Sequence, residues 1–484
     1  MPFAGHSTMS HRGAMALVFG TSFCVLVLEI LAGRLLAPLI GVSLETFTGI
    51  IGTVLAGIAV GNAAGGRLAD RLDPGRLIGP TVLLGGLLSW LAPVLVTGVG
   101  PVGRSDPVTI VFLAVITFFA PAAVLSAITP MVAKLRLRDL GATGTVVGSL
   151  SAAGTAGALA GTFLTGFVLV AAFPTRRIIF VIGLVLVVVG TVLTGWNRVR
   201  ANLTAAVLIG PVGLAALALP GPCDLETAYA CVEIVPDRGR PTGRSLVLNG
   251  LRNSYVDLAD PTYLDFRYMR LFAAVTASLP AGPLDGLHIG GAGLTYPRHI
   301  SAVRPGSRAT VLELDGELIE VAGRDLGFHP REDIEVLVGD ARLTIAHLAD
   351  DSYDVIVGDA FSGMTIPWHL TTDEFVTEVD RVLRPDGVVV LNLIDGGRAD
   401  FARAQLATYR TRFANVGLIV PQAGLAEDRP RNLIAVASHR PLPAVDPDPD
   451  DGRLLSPAET DAFIGDAAPL RDDFAPVDQL RAGP

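Results

Sequence analysis

The first half of the chain consists of long apolar stretches that contain almost no charged residues. These stretches lie at 14–33, 46–66, 77–100, 107–130, 144–172, 178–197 and 201–220. Each is long enough to cross about 30 Å of hydrocarbon as an α-helix. The first is too long for a cleaved signal peptide, contains Glu29 and is followed by further stretches. The pattern therefore predicts an α-helical membrane domain of about seven spanning helices over 1–222.

In the second half, short strand-like and helix-like segments alternate. The predicted strands are 286–290, 308–314, 334–338, 353–359, 386–393 and 432–437, and the predicted helices are 295–303, 316–324, 342–348, 371–383 and 398–413. This alternation is typical of an α/β domain with a mostly parallel, doubly wound sheet. We therefore predict an open α/β domain over 281–440.

Two less regular segments flank this domain. Within 223–280, β-rich runs at 231–256 are broken by Gly and Pro and predict a small antiparallel hairpin unit. The apolar spacing of 260–279 predicts an amphipathic helix after it. The tail, 441–484, is rich in Pro and Asp. It is expected to be a loose surface segment with a short docking element in LRDDFAPVDQL.

The charges divide the chain at the same place. Residues 1–222 contain 13 basic and 6 acidic residues, whereas the remainder contains 24 and 40. Basic residues concentrate in the loops after the second, fourth and sixth stretches, a bias that places these loops in the cytoplasm. A multi-pass protein of the cell membrane is therefore expected. With seven spans the C-terminal domain lies outside the cytoplasm, whereas a re-entrant stretch or a double crossing returns it to the cytoplasmic side.

Two residue pairs each allow two interpretations. Cys223 and Cys231 flank a short segment after the last stretch and are either disulfide-bonded or two free thiols. No nearby His or Cys completes a zinc site with them, and no metal is predicted. Glu29 and Arg34 lie in or at the end of the first stretch. Such charges form a structural ion pair or mark a pathway for a cationic solute.

Residues suited to nucleoside binding follow four of the predicted strands. Gly290, Gly291 and Gly293 form a turn that lets the backbone approach a ligand. The later positions are Glu313 for the ribose hydroxyls, with Asp315 beside it, then Gly339-Asp340-Ala341 for the adenine amine, and Asp359 beside the reacting centre. In a parallel sheet these strand ends share one edge, where ligands bind. The turn reads G-G-A-G-L-T, which favours a nucleoside over a dinucleotide.

With these motifs the chain resembles the spermidine synthase family of polyamine aminopropyltransferases, in particular its membrane-fused branch with transporter-like N-terminal helices. The residues that carry the resemblance are GGAGLTYPR at 290–298, VLELD at 311–315, VLVGDA at 336–341, YDVIVGDAF at 353–361, IPWHLTTDEF at 366–375 and LRPDGVVVLNL at 383–393. Further matches are SLVLNGLRNSYVDLADPTYLDFRYMR at 245–270 and FGTSFCVLVLEILAGRLLAPLIG at 19–41. The resemblance implies a Rossmann-like fold of the methyltransferase type for 281–440.

The resemblance also implies an activity. A propylamine group passes from decarboxylated S-adenosylmethionine to putrescine or a related amine in spermidine biosynthesis, and Asp359 orients and deprotonates that amine. The predicted donor-binding residues are Gly290, Gly291, Gly293, Glu313, Asp315, Asp340, Ala341 and Asn253. A small-molecule amine and the membrane are the expected partners, with no nucleic acid. A homodimer is also expected, because soluble relatives are commonly oligomeric.

The chain departs from the family pattern at three places. Gly293 occupies the position of an Asp that contacts the donor's aminopropyl end, Ser362 that of a second central Asp, and LDFRYMR replaces a Tyr-His-Glu run. The acids that could replace these groups are Asp265, Asp373 and Glu374. Two other functions therefore stay open: a non-catalytic polyamine or nucleoside binding or transport protein, and a methyltransferase that uses S-adenosylmethionine.

Overall fold

A computed structural model gives the fold of the chain. It describes residues 9–41, 43–99, 107–137, 143–194, 211–215, 223–329, 332–422 and 429–482. The chain forms two compact units, Met1–Val232 and Glu233–Pro484.

The first unit is an α-helical bundle. Its long helices are α1 (His11–Ile40), α2 (Leu44–Arg71), α3 (Pro74–Val99), α4 (Val108–Arg136), α5 (Thr143–Ala172) and α6 (Thr175–Thr194). Within the described residues, six helices are long and apolar enough to cross a membrane, judged by length and composition. They coincide with the first six predicted stretches, and most of the seventh, 201–220, lies outside the described residues.

After the bundle, the chain enters a short antiparallel pair of strands. Strand β1 (Leu225–Glu226) pairs with the beginning of β2 (Cys231–Pro236), and Cys223 is disulfide-bonded to Cys231. Of the two interpretations of these cysteines, the structure therefore contains the disulfide. Arg34 pairs with Glu226, with 3.0 Å between Nη2 and Oε1, so this arginine belongs to a structural ion pair.

In the second unit, the predicted hairpin follows β2. Strands β3 (Gly243–Leu248) and β4 (Leu251–Asp257) are antiparallel, and the helix that follows is α7 (Arg267–Ala277). This helix begins later than the predicted 260–279. The side chain of Asp260 accepts a hydrogen bond from the backbone N of Thr262 at 3.0 Å, which holds the preceding residues in a turn.

An eight-stranded sheet forms the centre of the second unit. Its strands are β5 (Asp285–Ile289), β6 (Arg308–Glu313), β7 (Ile334–Val338), β8 (Tyr353–Gly358), β9 (Leu383–Asp395), β10 (Asn415–Val420), β11 (Arg431–Ser438) and β12 (Arg453–Leu454). Their order is β7-β6-β5-β8-β9-β11-β10-β12. The five strands from β7 to β9 are parallel, and the remaining pairs are antiparallel. The predicted mostly parallel, Rossmann-like sheet is confirmed.

Helices cover this sheet on both faces and bury its apolar residues. They are α8 (Thr295–Val303), α9 (Gly316–Asp325), α10 (Ala341–Ile345), α11 (Asp373–Val382) and α12 (Asp400–Tyr409). Two buried clusters form the core, one on each face of the central strands. In β8, for example, Ile356 belongs to one cluster and Val355 and Val357 to the other. This alternation is what a strand covered on both sides requires.

The tail is better ordered than the sequence indicates. It adds β12 to the sheet edge and contains α13 (Pro457–Ile464) and α14 (Val477–Ala482), and Leu455, Leu470 and Val477 are buried in the core. The expectation of a loose surface segment is therefore wrong for this part of the tail. Its apolar residues occur in short groups among acids and prolines, so no periodic pattern reveals their burial. The predicted docking element, LRDDFAPVDQL, contains two of these buried residues.

Candidate active site

The point where the strand order reverses lies between β5 and β8. From β5 the chain continues to β6 and β7 on one side, and β8 and β9 lie on the other. Gly290 follows β5 and Asp359 follows β8, and the backbone N of Asp359 donates to the carbonyl of Ile289 at 2.9 Å. Gly290 has φ +93°, and a Cβ there would lie 2.6 Å from the carbonyl oxygen of Asp359. Only glycine fits between these two strand ends, and open α/β sheets bind ligands at such a crevice.

The carboxyl group of Asp359 is held by two neutral donors. Tyr268 on α7 donates its hydroxyl to Oδ2 at 2.9 Å, and Asn392 on β9 donates its amide to Oδ1 at 2.8 Å. Burial raises the pKa of Asp359 to about 7, and the two hydrogen bonds oppose that rise only in part. Asn432 in turn donates to the amide oxygen of Asn392 at 2.8 Å, which fixes the orientation of the Asn392 side chain. The group is thus poised to exchange a proton near neutral pH.

Burial also raises the pKa of Tyr268 well above its ordinary value, and the neighbouring charge of Asp359 adds to this effect. Tyr268 therefore stays protonated at neutral pH and acts as a donor to Asp359. The aspartate is the group of this pair that exchanges a proton.

Glu313 holds the glycine-rich turn. Its Oε2 accepts from the backbone N of Gly291 at 2.8 Å and of Ala292 at 3.0 Å, and its Oε1 accepts from the backbone N of Asp315 at 2.9 Å. A carboxylate has about four lone-pair positions, so these contacts leave room for about one hydroxyl donor. Glu313, which is predicted to bind the ribose hydroxyls, therefore also holds the turn in its conformation.

Gly293 lies against β4 in close packing. A Cβ at this position would be 2.6 Å from Oγ of Ser254, which itself contacts the hydroxyl of Thr295 at 2.9 Å. The carbonyl of Gly293 accepts from Nη2 of Arg298 at 2.8 Å. Side chains larger than hydrogen, including the Asp of the family pattern, do not fit here without movement of Ser254. The turn thus lacks an anionic side chain at this position.

Asn253, the neighbour of Ser254 on β4, is one of the predicted donor-binding residues. Its Oδ1 is buried and has no hydrogen-bond partner among the described residues. A buried acceptor without a partner costs about 1–3 kcal/mol, which a bound hydrogen-bond donor would recover.

The remaining predicted residues lie at helix starts. Asp315 and Asp340 are the N-caps of α9 and α10, where their side chains accept from backbone N–H groups. Ala341 is the first residue of α10 and is buried. The second oxygen of Asp340, Oδ2, lies 3.1 Å from Nε2 of His369, so this carboxylate still presents one oxygen away from the helix.

Three acids could replace the carboxylates that the family pattern has at positions 293 and 362, but each of them has another partner. Asp265 pairs with Arg252, with 2.7 Å between Oδ2 and Nη2. Asp373 pairs with Arg412 at 3.2 Å, and Glu374 accepts from the backbone N of Asp472 at 3.0 Å. None of the three is among the hydrogen-bond partners of Asp359 that the structure describes.

The sequence does not identify Tyr268, Asn392 or Asn432 as site residues. Asn392 carried a recognisable signal, because it is the one polar residue in the apolar run VVVLNLI of a buried strand. Tyr268 has no such signal in the sequence, because an aromatic residue on an amphipathic helix is ordinarily part of the core. In the described part of the chain, no group of three or more His, Cys, Asp or Glu residues could hold a metal ion.

The C-terminal part of the chain is similar to known proteins. The family model for a methyltransferase domain matches residues 287–391. The polyamine aminopropyltransferase of Vibrio vulnificus is 35% identical over 150 residues, which cover 31% of this chain and 49% of that protein. A probable polyamine aminopropyl transferase of Bifidobacterium longum is 34% identical over 123 residues, covering 25% and 27% respectively.

Among solved structures, a probable spermidine synthase from Corynebacterium glutamicum is 27% identical, with a TM-score of 0.48. That comparison covers 50% of this chain and 94% of the other. The chain spans about half or less of the length of the two curated relatives above. The predicted resemblance to the spermidine synthase family is confirmed, and an enzyme of the transferase class is consistent with it.

Proposed function

We propose that the protein is a membrane-anchored aminopropyltransferase. It transfers a propylamine group from decarboxylated S-adenosylmethionine to putrescine or a related amine. The observation that carries the proposal is Asp359, a carboxyl group with a pKa of about 7 at the carboxyl end of β8, beside the glycine-rich turn. The sequence similarity to polyamine aminopropyltransferases supports the reaction class.

The reaction requires an uncharged amine nitrogen. At neutral pH an alkyl amine is almost entirely protonated, since its pKa lies near ~10. The carboxylate of Asp359 accepts a proton from the ammonium group. The freed nitrogen then attacks the propyl carbon next to the sulfonium, the carbon–sulfur bond breaks, and its electron pair stays on sulfur. The products are the extended amine and methylthioadenosine.

The neighbours of Asp359 orient this proton transfer. Tyr268 and Asn392 each occupy one carboxylate oxygen from the protein side, which leaves the remaining lone pairs for the amine. A positioned base of matched pKa accelerates proton transfer by about 10²–10⁴-fold.

The donor is proposed to lie along the strand ends. Glu313 accepts from a ribose hydroxyl, Asp340 accepts from the adenine amine through Oδ2, and Asn253 accepts from a polar group of the donor. The full proposed set is Gly290, Gly291, Gly293, Glu313, Asp315, Asp340, Ala341 and Asn253. The six long apolar helices support anchoring in the cell membrane.

A second candidate is methyl transfer from S-adenosylmethionine. Gly293 favours it, because the turn lacks the acid that would pair with the donor's aminopropyl end and would repel the carboxylate of S-adenosylmethionine. The match of residues 287–391 to a methyltransferase domain also supports it. The two candidates differ in product, since methyl transfer releases S-adenosylhomocysteine instead of methylthioadenosine.

A product assay with the purified full-length chain tests the proposal. The protein is incubated with either donor and a panel of di- and polyamines, and both nucleoside products are quantified. Methylthioadenosine that depends on the decarboxylated donor, and is lost in Asp359→Asn, is the expected result. S-adenosylhomocysteine formation selects the second candidate, and absence of both products with every amine contradicts catalysis.

A further inference from the structure

The helical bundle has two ends that the described contacts distinguish. One of them, here called the basic end, contains the start of α1, the junction of α2 and α3, and the end of α4. Lys134 Nζ at the end of α4 lies 2.7 Å from Oδ1 of Asp70 near the end of α2. Arg136 Nη1 lies 3.2 Å from the carbonyl of Met9, just before α1.

Helix α6 ends at the basic end. A Cβ on Gly79, near the start of α3, would lie 2.5 Å from Oγ1 of Thr194, the last residue of α6. The start of α6 lies at the other end, where Arg176 Nη2 donates to Oγ1 of Thr97 near the end of α3 at 2.6 Å.

The segment just after the bundle is attached to this other end. Arg34, near the end of α1, pairs with Glu226 at 3.0 Å and donates through Nη1 to the carbonyl of Ala228 at 2.5 Å. Glu226 also accepts from the backbone N of Thr175, the first residue of α6, at 3.0 Å. Glu226 therefore lies beside the start of α6, whereas Thr194 lies at the opposite end of the same helix.

Thr194 and Glu226 are therefore separated by the length of the bundle. A helix of the length of α6 extends about 30 Å, the thickness of the hydrocarbon core. Residues 211–215 lie between the two ends, because a Cβ on Gly213 would be 2.8 Å from the ring of Trp90 in the middle of α3. The sequence from 201 to 220 contains no charged residue. From the positions of Thr194 and Glu226 at opposite ends of the bundle we infer that the C-terminal domain lies on the extracytoplasmic side of the membrane.

The basic residues indicate which end of the bundle lies in the cytoplasm. Arg67, Arg71, Arg76, Lys134 and Arg136 are at or next to the basic end, and positively charged loops stay in the cytoplasm. The other end has fewer basic residues in the described part of the chain, namely Arg34, Arg176 and Arg177. Glu226, and with it the domain that follows, is therefore extracytoplasmic.

The disulfide independently supports an extracytoplasmic location of the C-terminal domain. Cys223 and Cys231 enclose β1 and its turn, and disulfides persist in oxidising compartments but are rare in the cytosol. On the proposed function, the C-terminal domain then works in that compartment. It takes its nucleoside donor and its amine from that compartment, so a donor made in the cytosol must first cross the membrane.

Thiol labelling of the full-length protein in cells tests the inference. Arg440→Cys places a thiol on the C-terminal domain and Arg76→Cys places one at the basic end; both arginines are exposed, at 69% and 71% of the side chain. With a membrane-impermeant maleimide carrying a polymer, we expect the mass shift in intact cells for Arg440→Cys alone. Arg76→Cys is expected to shift only after the membrane is permeabilised. Protection of Arg440→Cys in intact cells would overturn the inference.

The state of the native cysteines provides a second measurement. When thiols are blocked during denaturation without reductant, Cys223 and Cys231 are expected to resist alkylation and to react only after reduction. Free thiols at both positions would contradict an oxidising location. The result is independent of the proposed transferase activity, because Asp359→Asn carrying the same labelling sites is expected to show the same pattern whether or not the wild type is active.

Discussion

Tyr268 and Asp359 are joined by a 2.9 Å hydrogen bond between residues that are 91 positions apart in the chain. The bond connects the helix that follows the β-hairpin to the strand end at the centre of the sheet. Because Asn392 holds the other carboxylate oxygen, the aspartate is oriented from two sides while burial keeps its pKa at about 7. This arrangement matches the requirement for a general base that deprotonates an alkyl ammonium near neutral pH.

Replacement of this base should remove turnover and preserve donor binding. Asp359→Asn keeps the size of the side chain but cannot accept a proton, so we expect kcat to fall by about 10²–10⁴-fold. Product formation and calorimetric donor affinity measure the two effects separately. Asp386→Asn, the same change at an exposed surface position, is the matched control and should retain wild-type rates. Equal activity of both variants would remove Asp359 from the mechanism.

Removal of the tyrosine hydroxyl should move the pH profile. In the proposed mechanism the deprotonated form of Asp359 is active, so the rate is expected to fall as pH drops through its pKa of about 7. The Tyr268 hydrogen bond stabilises the carboxylate, and Tyr268→Phe therefore raises this pKa and shifts the inflection of kcat/KM to higher pH. A profile that keeps its inflection while activity drops would assign Tyr268 a purely structural role.

The sequence predicts the parallel half of the sheet well. Its strands are short apolar runs bounded by turns, and β5 to β9 lie close to the predicted bounds. Strand β10 (Asn415–Val420) was missed, although NVGLIV is a strand-like run, because the predicted helix before it extended to 413. The actual helix α12 ends at Tyr409, which frees the residues after it to form a turn and a strand.

The candidate site, too, is only partly predictable from the sequence. The glycine turn, Glu313 and Asp340 carry local signals, because each follows a recognisable strand. The contacts of Asp359 with Tyr268 and Asn392 depend on how distant elements pack, and sequence spacing does not report them. The steric limit at Gly293 is similar, since it comes from Ser254 on a hairpin far along the chain.

Close packing at Gly293 predicts a destabilised alanine variant. Gly293→Ala places Cβ 2.6 Å from Oγ of Ser254, and overpacking of this kind costs about 1–3 kcal/mol. Ser254→Gly in the same chain should restore most of the loss, because it removes the colliding hydroxyl. Chemical denaturation followed by circular dichroism measures both. Gly323→Ala within α9 meets only an ordinary contact at 3.5 Å and is expected to be neutral or slightly stabilising.

Asp359 should also make stability depend on pH. Its folded-state pKa is raised from 3.8 to about 7, so the folded state binds a proton more tightly than the unfolded chain. This contribution is fully present below pH 3.8 and is lost as pH rises through about 7. The thermal midpoint of the C-terminal domain in Asp359→Asn should therefore vary less between pH 5 and about 8 than in the wild type. Identical pH dependence in the two proteins would show that burial does not raise this pKa.

The packed tail predicts a stability effect far from the candidate site. Leu470 is 3% exposed within the core, and its carbonyl accepts from the backbone N of Asp373 at the start of α11 at 2.9 Å. Truncation of such a side chain removes buried contacts and leaves a cavity, so Leu470→Ala should lower the free energy of unfolding by about 2–5 kcal/mol. Phe474→Ala is the matched control from the same segment, because Phe474 is 72% exposed and its loss should change stability by less than about 0.5 kcal/mol. Urea denaturation of both variants measures the difference, and similar midpoints for the two would mean that the tail does not pack on the sheet domain in solution.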